Sequence, residues 1–168
     1  SIETPILIIK PLDSVEHLSV ENFSRKEKFE FEKNKNGWQI ILPVQYPAES
    51  VLIDGFVSLL RLSPRFRNLT LEGVNLSDFG FETPQLSVCI GTNPKESRCL
   101  IVGNKAAIGK GFYARWADEL KYFLVSESFM QAFDKSLYSL RKKQIFSLLD
   151  KDVRSIRFIS IKKDILIL

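Results

Sequence analysis

Apolar and polar residues alternate along the N-terminal part of the chain, the period that is typical of half-buried β-strands. The apolar members of this alternation are Val15, Leu18, Val20, Phe29 and Phe31. They predict two strands, the second of which runs toward Asn36-Gly37, a dipeptide that favours a tight hairpin because both central positions of a type I′ turn need positive φ. A symmetric turn would pair Phe31 with Leu42. It would also pair Phe29 with Val44, on the same apolar face of the hairpin.

The apolar period changes to that of an α-helix after Pro47. Proline suits the first position of a helix, because its fixed φ and its missing N–H are both tolerated there. Apolar or small residues then recur at helical spacing, on one side of the helix: Ala48, Val51, Leu52, Gly55, Phe56, Leu59 and Leu60. Ser63-Pro64 ends the pattern. The sequence therefore predicts one main helix over 47–62, with this stripe facing the sheet.

The rest of the chain reads mainly as strands, with one helical segment near the end. A strand near 65–71 and a turn over 76–84 lead into a predicted meander with strands at 86–90, 98–102, 108–116 and 120–125. Ser126 is a suitable N-cap for a shorter helical segment over 126–141, with a break near Asp134. The predicted fold class is α+β: an antiparallel or mixed sheet with hairpins and a meander, packed against the main helix and this C-terminal segment.

The last residues repeat the pattern with which the chain begins. Val153, Ile156 and Phe158 have the same spacing as Val15, Leu18 and Val20. We predict a single α+β module over 1–150 and a terminal strand pair over 151–168. This repeated spacing fits two alternatives: the strand pair closes the sheet, or it is the start of a following repeat.

Composition narrows the class of protein without identifying a ligand. The chain has 168 residues, 45% of them hydrophobic and 26% charged, which fits one ordinary globular domain. Its net charge is +4, but the basic residues are dispersed among acidic ones. A nucleic-acid footprint needs a clustered basic patch, so we predict no nucleic-acid partner. No stretch approaches the about 18 apolar residues of a membrane-spanning helix.

The sequence offers no arrangement that is typical of catalysis. The glycines over 103–111 suggest a phosphate-binding loop, but the P-loop has one residue fewer between its glycines, and Gly111 stands where its magnesium-binding Ser or Thr would be. His17 is the lone histidine and has no nucleophile beside it in the sequence, so we predict a structural strand residue. We expect no catalytic residues, no cofactor and no metal site, and therefore no enzyme.

The two cysteines of the chain form a candidate disulfide. In a hairpin centred on Pro94, Cys89 and Cys99 are direct cross-strand partners. Opposed residues of an antiparallel pair can lie close enough to bridge. The alternatives are two half-buried free thiols or a disulfide, and a disulfide would imply an oxidising compartment.

Tyr113, Arg115 and Trp116 are the candidate ligand-contact residues. Tyr113 and Arg115 alternate along one face of a predicted strand, while Trp116 takes the other face. An Arg beside a Tyr can hold an anionic group. The alternative is an Arg stem that packs on an aromatic ring.

The most distinctive residues of the chain set turns and packing. We assign architectural roles to six of them: Trp38, Pro43, Pro47, Gly80, Pro84 and Arg141. Together with Gly103 and the segments 111–115, 122–125 and 140–142, they form an ordered series over 15–146. This series resembles the bacterial domain-of-unknown-function family 4340. The chain departs from the family pattern at Phe81, where Leu is usual, and at Lys142, where Asp is expected.

The resemblance implies a place in the cell as well as a fold. It implies a mixed α+β module, often repeated, behind an N-terminal membrane anchor and encoded beside ABC transporters of the gliding-motility type. We therefore expect a non-catalytic accessory or interaction domain on the extracytoplasmic side of a membrane in the cell envelope. Its partners would be transporter subunits or an adjacent repeat, with membrane contact only through an anchor outside these 168 residues. The alternative is a small-ligand or glycan-binding module that uses the surface around Tyr113, Arg115 and Trp116.

Overall fold

A computed structural model describes residues 5–6, 14–70, 72–73, 75–107, 110–143, 158–161 and 164–167. The strands within these residues are β1 (His17–Asn22), β2 (Glu27–Asn34), β3 (Gly37–Leu42), β4 (Tyr46–Pro47), β5 (Phe66–Thr70), β6 (Leu86–Gly91), β7 (Ser97–Lys105), β8 (Phe112–Trp116), β9 (Lys121–Val125), β10 (Phe158–Ile161) and β11 (Asp164–Ile167). The α-helices are α1 (Ser50–Leu62), α2 (Glu127–Ala132) and α3 (Leu137–Leu140), and short 3₁₀-helices span Leu76–Phe79 and Pro94–Glu96.

The main structure is a nine-stranded sheet in the order β4-β3-β2-β1-β6-β7-β8-β9-β5. All neighbouring strands in it are antiparallel. β6 to β9 form the predicted meander, and β1 joins this meander to the hairpin of β2 and β3. The predicted α+β class, an antiparallel sheet with hairpins and a few helices, is confirmed.

The core lies on one face of the sheet, where the strand residues alternate with period two. Fully buried strand residues include Leu18, Phe31, Ile40, Val88, Leu100 and Phe123. They share one buried cluster with α1 and α2. Phe56 of α1 stacks on Phe133, at the end of α2, with 4.8 Å between ring centroids. We term the opposite side of the sheet the second face.

The main helix begins three residues later than predicted, so the boundary over 47–62 is wrong at its start. Pro47 lies in β4 and pairs with Gln39 of β3. Proline has no N–H to donate and is tolerated in such an edge strand. The buried stripe of α1 also differs from the prediction: Ile53, Phe56, Val57 and Leu60 face the core. Val51, which was predicted to face the sheet, is 76% exposed.

The hairpin register also differs from the prediction. Phe31 pairs with Ile40, and the two-residue turn is Lys35-Asn36. Gly37 takes the positive φ of 104° and lies within the ladder, so the turn is displaced by one residue from Asn36-Gly37. The predicted pairs with Leu42 and Val44 are therefore wrong. Those two side chains are 43% and 46% exposed.

The C-terminal part agrees with the predicted break. Ser126 caps α2 by accepting a hydrogen bond from the N–H of Phe129 at 3.1 Å, and a separate short helix, α3, follows the break. β10 and β11 pair with each other in a two-stranded sheet of their own. Of the predicted tail and the predicted strand over 108–116, residues 151–157, 162–163, 168 and 108–109 lie outside the described residues. No helix among the described residues has the length and hydrophobicity that crossing a membrane requires.

Candidate functional site

The segment 75–84 covers part of the second face. Its 3₁₀-helix is capped by Asn75, whose side-chain oxygen accepts the N–H of Ser77 at 3.2 Å, and it ends at Gly80 with φ 75°. Beneath it, Gly103 of β7 has no side chain to hold the segment off the sheet. A Cβ placed there would lie 2.0 Å from the carbonyl oxygen of Phe79. The absence of a side chain at Gly103 therefore lets the segment 75–84 lie directly on β7.

Three aromatic rings meet where this segment crosses the sheet. Phe79 packs in a T-shaped arrangement with Tyr113 at 4.6 Å and contacts Tyr122 at 4.7 Å, both measured between ring centroids. Beside the rings lies a cavity of about 260 Å³, which we term the aromatic cleft. Its lining residues are Arg67, Leu69, Phe79, Ala107, Tyr113, Tyr122 and Leu124.

Arg67 reaches the aromatic cleft from an irregular part of β5. The pairing of β5 with β9 shifts between Phe66 and Leu69, and Arg67 within this bulge has φ 55°. Bulges of this kind redirect side chains. Among the described residues, no carboxylate forms an ion pair with Arg67.

Of the three predicted ligand-contact residues, the structure brings only Tyr113 to the aromatic cleft. Arg115 donates hydrogen bonds to the carbonyl oxygens of Trp116, Ala117 and Glu119, so it holds the turn between β8 and β9. Its guanidinium also lies 6.0 Å from the ring centroid of Phe81, in agreement with the packing alternative.

The predicted ligand contact of Trp116 is wrong, because its side chain is fully buried. Its Nε1–H donates to the carbonyl oxygen of Ile6 at 2.8 Å. The guanidinium of Arg98 lies over its ring, 4.6 Å from the centroid. Trp116 therefore ties Ile6 to the sheet.

The carboxylates near Trp116 are held by arginines. Arg65 and Arg98 both bond Glu119, and Arg98 also bonds Asp118 at 2.8 Å. Burial alone would raise the pKa of Glu119, but the two guanidinium groups lower it overall. The hydrogen bond from Arg98 likewise lowers the pKa of Asp118. These groups stabilise the turn, and among the described residues no cluster of three His, Cys, Asp or Glu side chains is arranged to hold a metal ion.

The two cysteines are joined across the centre of the sheet. Cys89 of β6 and Cys99 of β7 are directly opposed, with Cα atoms 4.0 Å apart, and form a disulfide. Both residues are half-buried. Of the two alternatives that the spacing leaves open, the structure has the disulfide.

His17 is buried at the start of β1 and bonds the turn between β6 and β7. Its Nδ1 lies 3.1 Å from the Oγ of Ser97, which donates its own proton to the carbonyl of Asn93. Nδ1 must therefore be the donor, and protonation would add a charge at Nε2. Burial lowers the pKa of His17 from its ordinary value of 6.5, although Glu30 and Glu32 partly oppose this shift.

Acidification is expected to destabilise the protein through His17. The buried imidazole binds fewer protons than the same group in the unfolded chain, so its contribution to the free energy of unfolding increases as the pH rises to about 6.5. As the pH falls below that value, the contribution of His17 is lost. His17→Asn keeps a donor for Ser97 but does not titrate. Urea unfolding at about pH 7.5 and about pH 5 should show a smaller loss of stability for the variant than for the wild type. Equal losses would assign the pH dependence to other groups.

Several of the residues that we assigned architectural roles lie at the β3–β4 edge. The indole N–H of Trp38 donates to Asp54 of α1 at 2.8 Å, and Pro43 follows Leu42 through a cis peptide bond. The guanidinium of Arg141 lies 4.0 Å from the ring centroid of Tyr46. Elsewhere, Pro84 stands just before β6.

Backbone hydrogen bonds join two segments at this edge, 46–51 and 138–143, which we term the edge surface. The N–H of Glu49 donates to the carbonyl of Leu140, and the N–H of Lys142 donates to that of Pro47, both at 2.8 Å. A cavity of about 360 Å³ lies beside them, lined in part by Glu49 and Lys142. The edge surface is therefore a continuous, backbone-connected part of the fold.

Sequence reasoning missed Arg67, Phe79 and Tyr122 as cleft residues. Tyr122 could have been found from the strand pairing, because Tyr113 opposes Leu124 and the two tyrosines then share a face. Arg67 has no comparable signal, because the bulge in β5 breaks the period of two.

The comparison with known proteins finds one family. A model of the family described as Domain of unknown function (DUF4340) matches residues 38–166. No curated protein and no solved structure matches the chain significantly. The matched range contains both the aromatic cleft and the edge surface. Because the match covers well over half of the chain, this protein belongs to the DUF4340 family.

Proposed function

We propose that this chain is a non-catalytic interaction domain of a membrane-anchored bacterial envelope protein. It lies on the extracytoplasmic side and contacts a subunit of an ABC-type transport system. Membership of the DUF4340 family is consistent with this proposal. The observation that carries it is the disulfide between Cys89 and Cys99.

The disulfide supports the location, because disulfides persist in oxidising compartments and are rare in the reducing cytosol. Its position in the first hairpin of the meander also matters. Cys89 and Cys99 are opposed in the regular ladder between β6 and β7, so no rearrangement of the backbone is needed to form the bond. The bond closes a loop with a sequence separation of 10 and would stabilise the fold by roughly 2.7 kcal/mol on the loop-entropy model.

The edge surface is the proposed contact with the transporter subunit. It carries two large exposed side chains, Val51 and Tyr138, which are 76% and 74% exposed. Lys143 lies 5.1 Å from the ring centroid of Tyr138. Aromatic and Arg side chains are enriched in protein interfaces. Arg141 is exposed above Tyr46, which adds a second cation beside an aromatic ring.

The test is co-purification of the full-length anchored protein with the membrane subunit of the ABC transporter encoded beside it. The double variant Val51→Ser/Tyr138→Ser is expected to reduce recovery of that subunit about tenfold or more, since truncated interface anchors cost over about 1 kcal/mol each. Leu62→Ser and Leu120→Ser are the matched controls, because their side chains are 81% and 80% exposed elsewhere on the protein. Both controls should leave recovery unchanged.

Two results would contradict the proposal. The transporter subunit would not be recovered with the wild-type protein in mild detergent, or the control variants would lose it to the same extent.

A separate measurement tests the location: thiol alkylation in intact cells should leave Cys89 and Cys99 unmodified. Full alkylation of both residues would place the domain in a reducing compartment.

A further inference from the structure

We propose that the aromatic cleft binds a small free carboxylate whose body is one aromatic ring or a short hydrocarbon chain. This inference goes beyond the proposed contact with a transporter and rests on different residues. It also moves the predicted ligand site from Arg115 and Trp116 to the cleft around Arg67 and Tyr113.

The size and walls of the cleft define the body of the ligand. Its volume is about 260 Å³. An apolar cavity of roughly 150 Å³ holds benzene, so the cleft has room for one ring and a few further atoms. Leu69, Phe79 and Leu124 supply apolar walls. Binding sites of this kind are mostly apolar, with a few convergent polar groups.

The polar groups of the cleft define the charge of the ligand. Arg67 offers a guanidinium that can bind a carboxylate through two parallel hydrogen bonds. Tyr113 and Tyr122 line the same cavity, and among the described residues neither hydroxyl has a hydrogen-bond partner. These donors favour an anion and disfavour a cation.

Four arginines of the described residues, Arg61, Arg67, Arg115 and Arg141, form no ion pair with a carboxylate there, and of these four only Arg67 lines the aromatic cleft. Arg25, Arg65 and Arg98 each form an ion pair with a carboxylate of the chain. No carboxylate within the described part of the structure performs that role for Arg67. A carboxylate in the cleft would complete the same type of pair.

The backbone of Arg67 supports a role for its side chain. Its φ of 55° lies in the left-handed region, where residues other than glycine are uncommon. Strained positions of this kind cluster at ligand-binding sites. A glycine would adopt this φ at lower cost, so the bulge keeps an arginine side chain at an energetic cost.

The experiment compares 3-phenylpropionate with its uncharged analogue 3-phenylpropionamide, by calorimetric titration of the disulfide-bonded chain. The carboxylate is expected to bind about tenfold or more tightly than the amide, because hydrogen bonds to a charged group are stronger than neutral ones. Arg67→Gln should abolish this preference, and Tyr113→Phe should weaken binding of the carboxylate. Arg61→Gln, at an exposed arginine of α1, is the matched control and should change neither affinity.

A second variant separates the loss of the guanidinium from the loss of the fold. Arg67→Gly relieves the left-handed strain and should keep a Tm at least equal to that of the wild type, yet it should show no preference for the carboxylate. Equal affinities of the wild type for acid and amide would overturn the proposal, as would a preference that survives in Arg67→Gln. Binding of N-acetyl-Gly-Gly-Phe tenfold more tightly than 3-phenylpropionate would also overturn it, because the occupant would then be a peptide C-terminus. None of these outcomes depends on the transporter.

Discussion

Trp116→Ala is expected to lower the free energy of unfolding by about 3–5 kcal/mol, the usual cost of removing a fully buried aromatic side chain. The indole fills the core below β8 with no exposed surface. The substitution also removes the donor to Ile6 and the ring on which Arg98 lies. The loss therefore combines a cavity, the removal of one of the two donors to the carbonyl of Ile6, and a displaced guanidinium.

Urea unfolding followed by circular dichroism measures this loss, with the disulfide kept intact in all variants. Trp116→Phe should cost about 1–2 kcal/mol, since it keeps most of the ring volume but removes the indole hydrogen bond to the carbonyl of Ile6, which then keeps only its bond from Arg65. Leu120→Ala, four residues away and exposed, should stay within about 0.5 kcal/mol of the wild type. A loss below about 1 kcal/mol for Trp116→Ala would mean that this indole is not in the core.

Gly103→Ala is expected to cost about 3 kcal/mol, because the added methyl group would overlap backbone atoms. Its Cβ would lie 2.0 Å from the carbonyl oxygen of Phe79 and 3.0 Å from the carbonyl carbon of Gly80. Neither atom can rotate away, so the segment 75–84 must lift from β7. The aromatic contacts of Phe79 with Tyr113 and Tyr122 should weaken with it, which near-ultraviolet circular dichroism would detect.

Gly55→Ala is the matched control and should have the opposite sign. Gly55 lies in α1, and a Cβ there meets no atom within 4 Å. Alanine should therefore raise the free energy of unfolding by roughly 0.5–1 kcal/mol. If Gly103→Ala and Gly55→Ala changed stability equally, the close approach of segment 75–84 to β7 would be refuted.

The sequence predicts those parts of the fold whose local signals agree. The hairpin of β6 and β7 has the predicted register, because the alternation of Leu86, Val88 and Ile90 and the turn around Pro94 allow one pairing. Ser126 likewise caps α2, because its hydroxyl accepts the N–H of Phe129, three residues further along the chain. In these places, the residues that contact one another are close in the sequence.

The predicted hairpin register and the predicted start of the main helix were wrong because, in each place, one residue is compatible with two different local structures. Gly37 can be the second residue of the turn or the first residue of β3. In the structure it lies in β3, where its backbone approaches the hydroxyl of Ser50, which accepts the N–H of Trp38. Pro47 can begin a helix or lie at a sheet edge, and its bond with Lys142 keeps it at the edge. Both decisions depend on residues that are distant in the sequence, so no local pattern contains them.

The candidate site was predictable only through Tyr113. Strand alternation puts Tyr113 on the second face, where the aromatic cleft lies. Arg67 enters the same cleft through a bulge and a left-handed backbone. A period of two cannot indicate such a residue, and Trp116 shows that an aromatic residue near the site can belong to the core.

The position of β1 shows that the folding unit begins before the range that the family model matches. β1 lies between β2 and β6 in the nine-stranded sheet, yet β1 and β2 both precede the matched range 38–166. A fragment trimmed to that range would divide the sheet into a β3–β4 pair and a separate five-stranded piece. The apolar face of each piece would lose its central neighbours, Leu18 and Phe31 among them. The limits of sequence similarity and the limits of the cooperative unit are therefore different, and expression boundaries should follow the sheet.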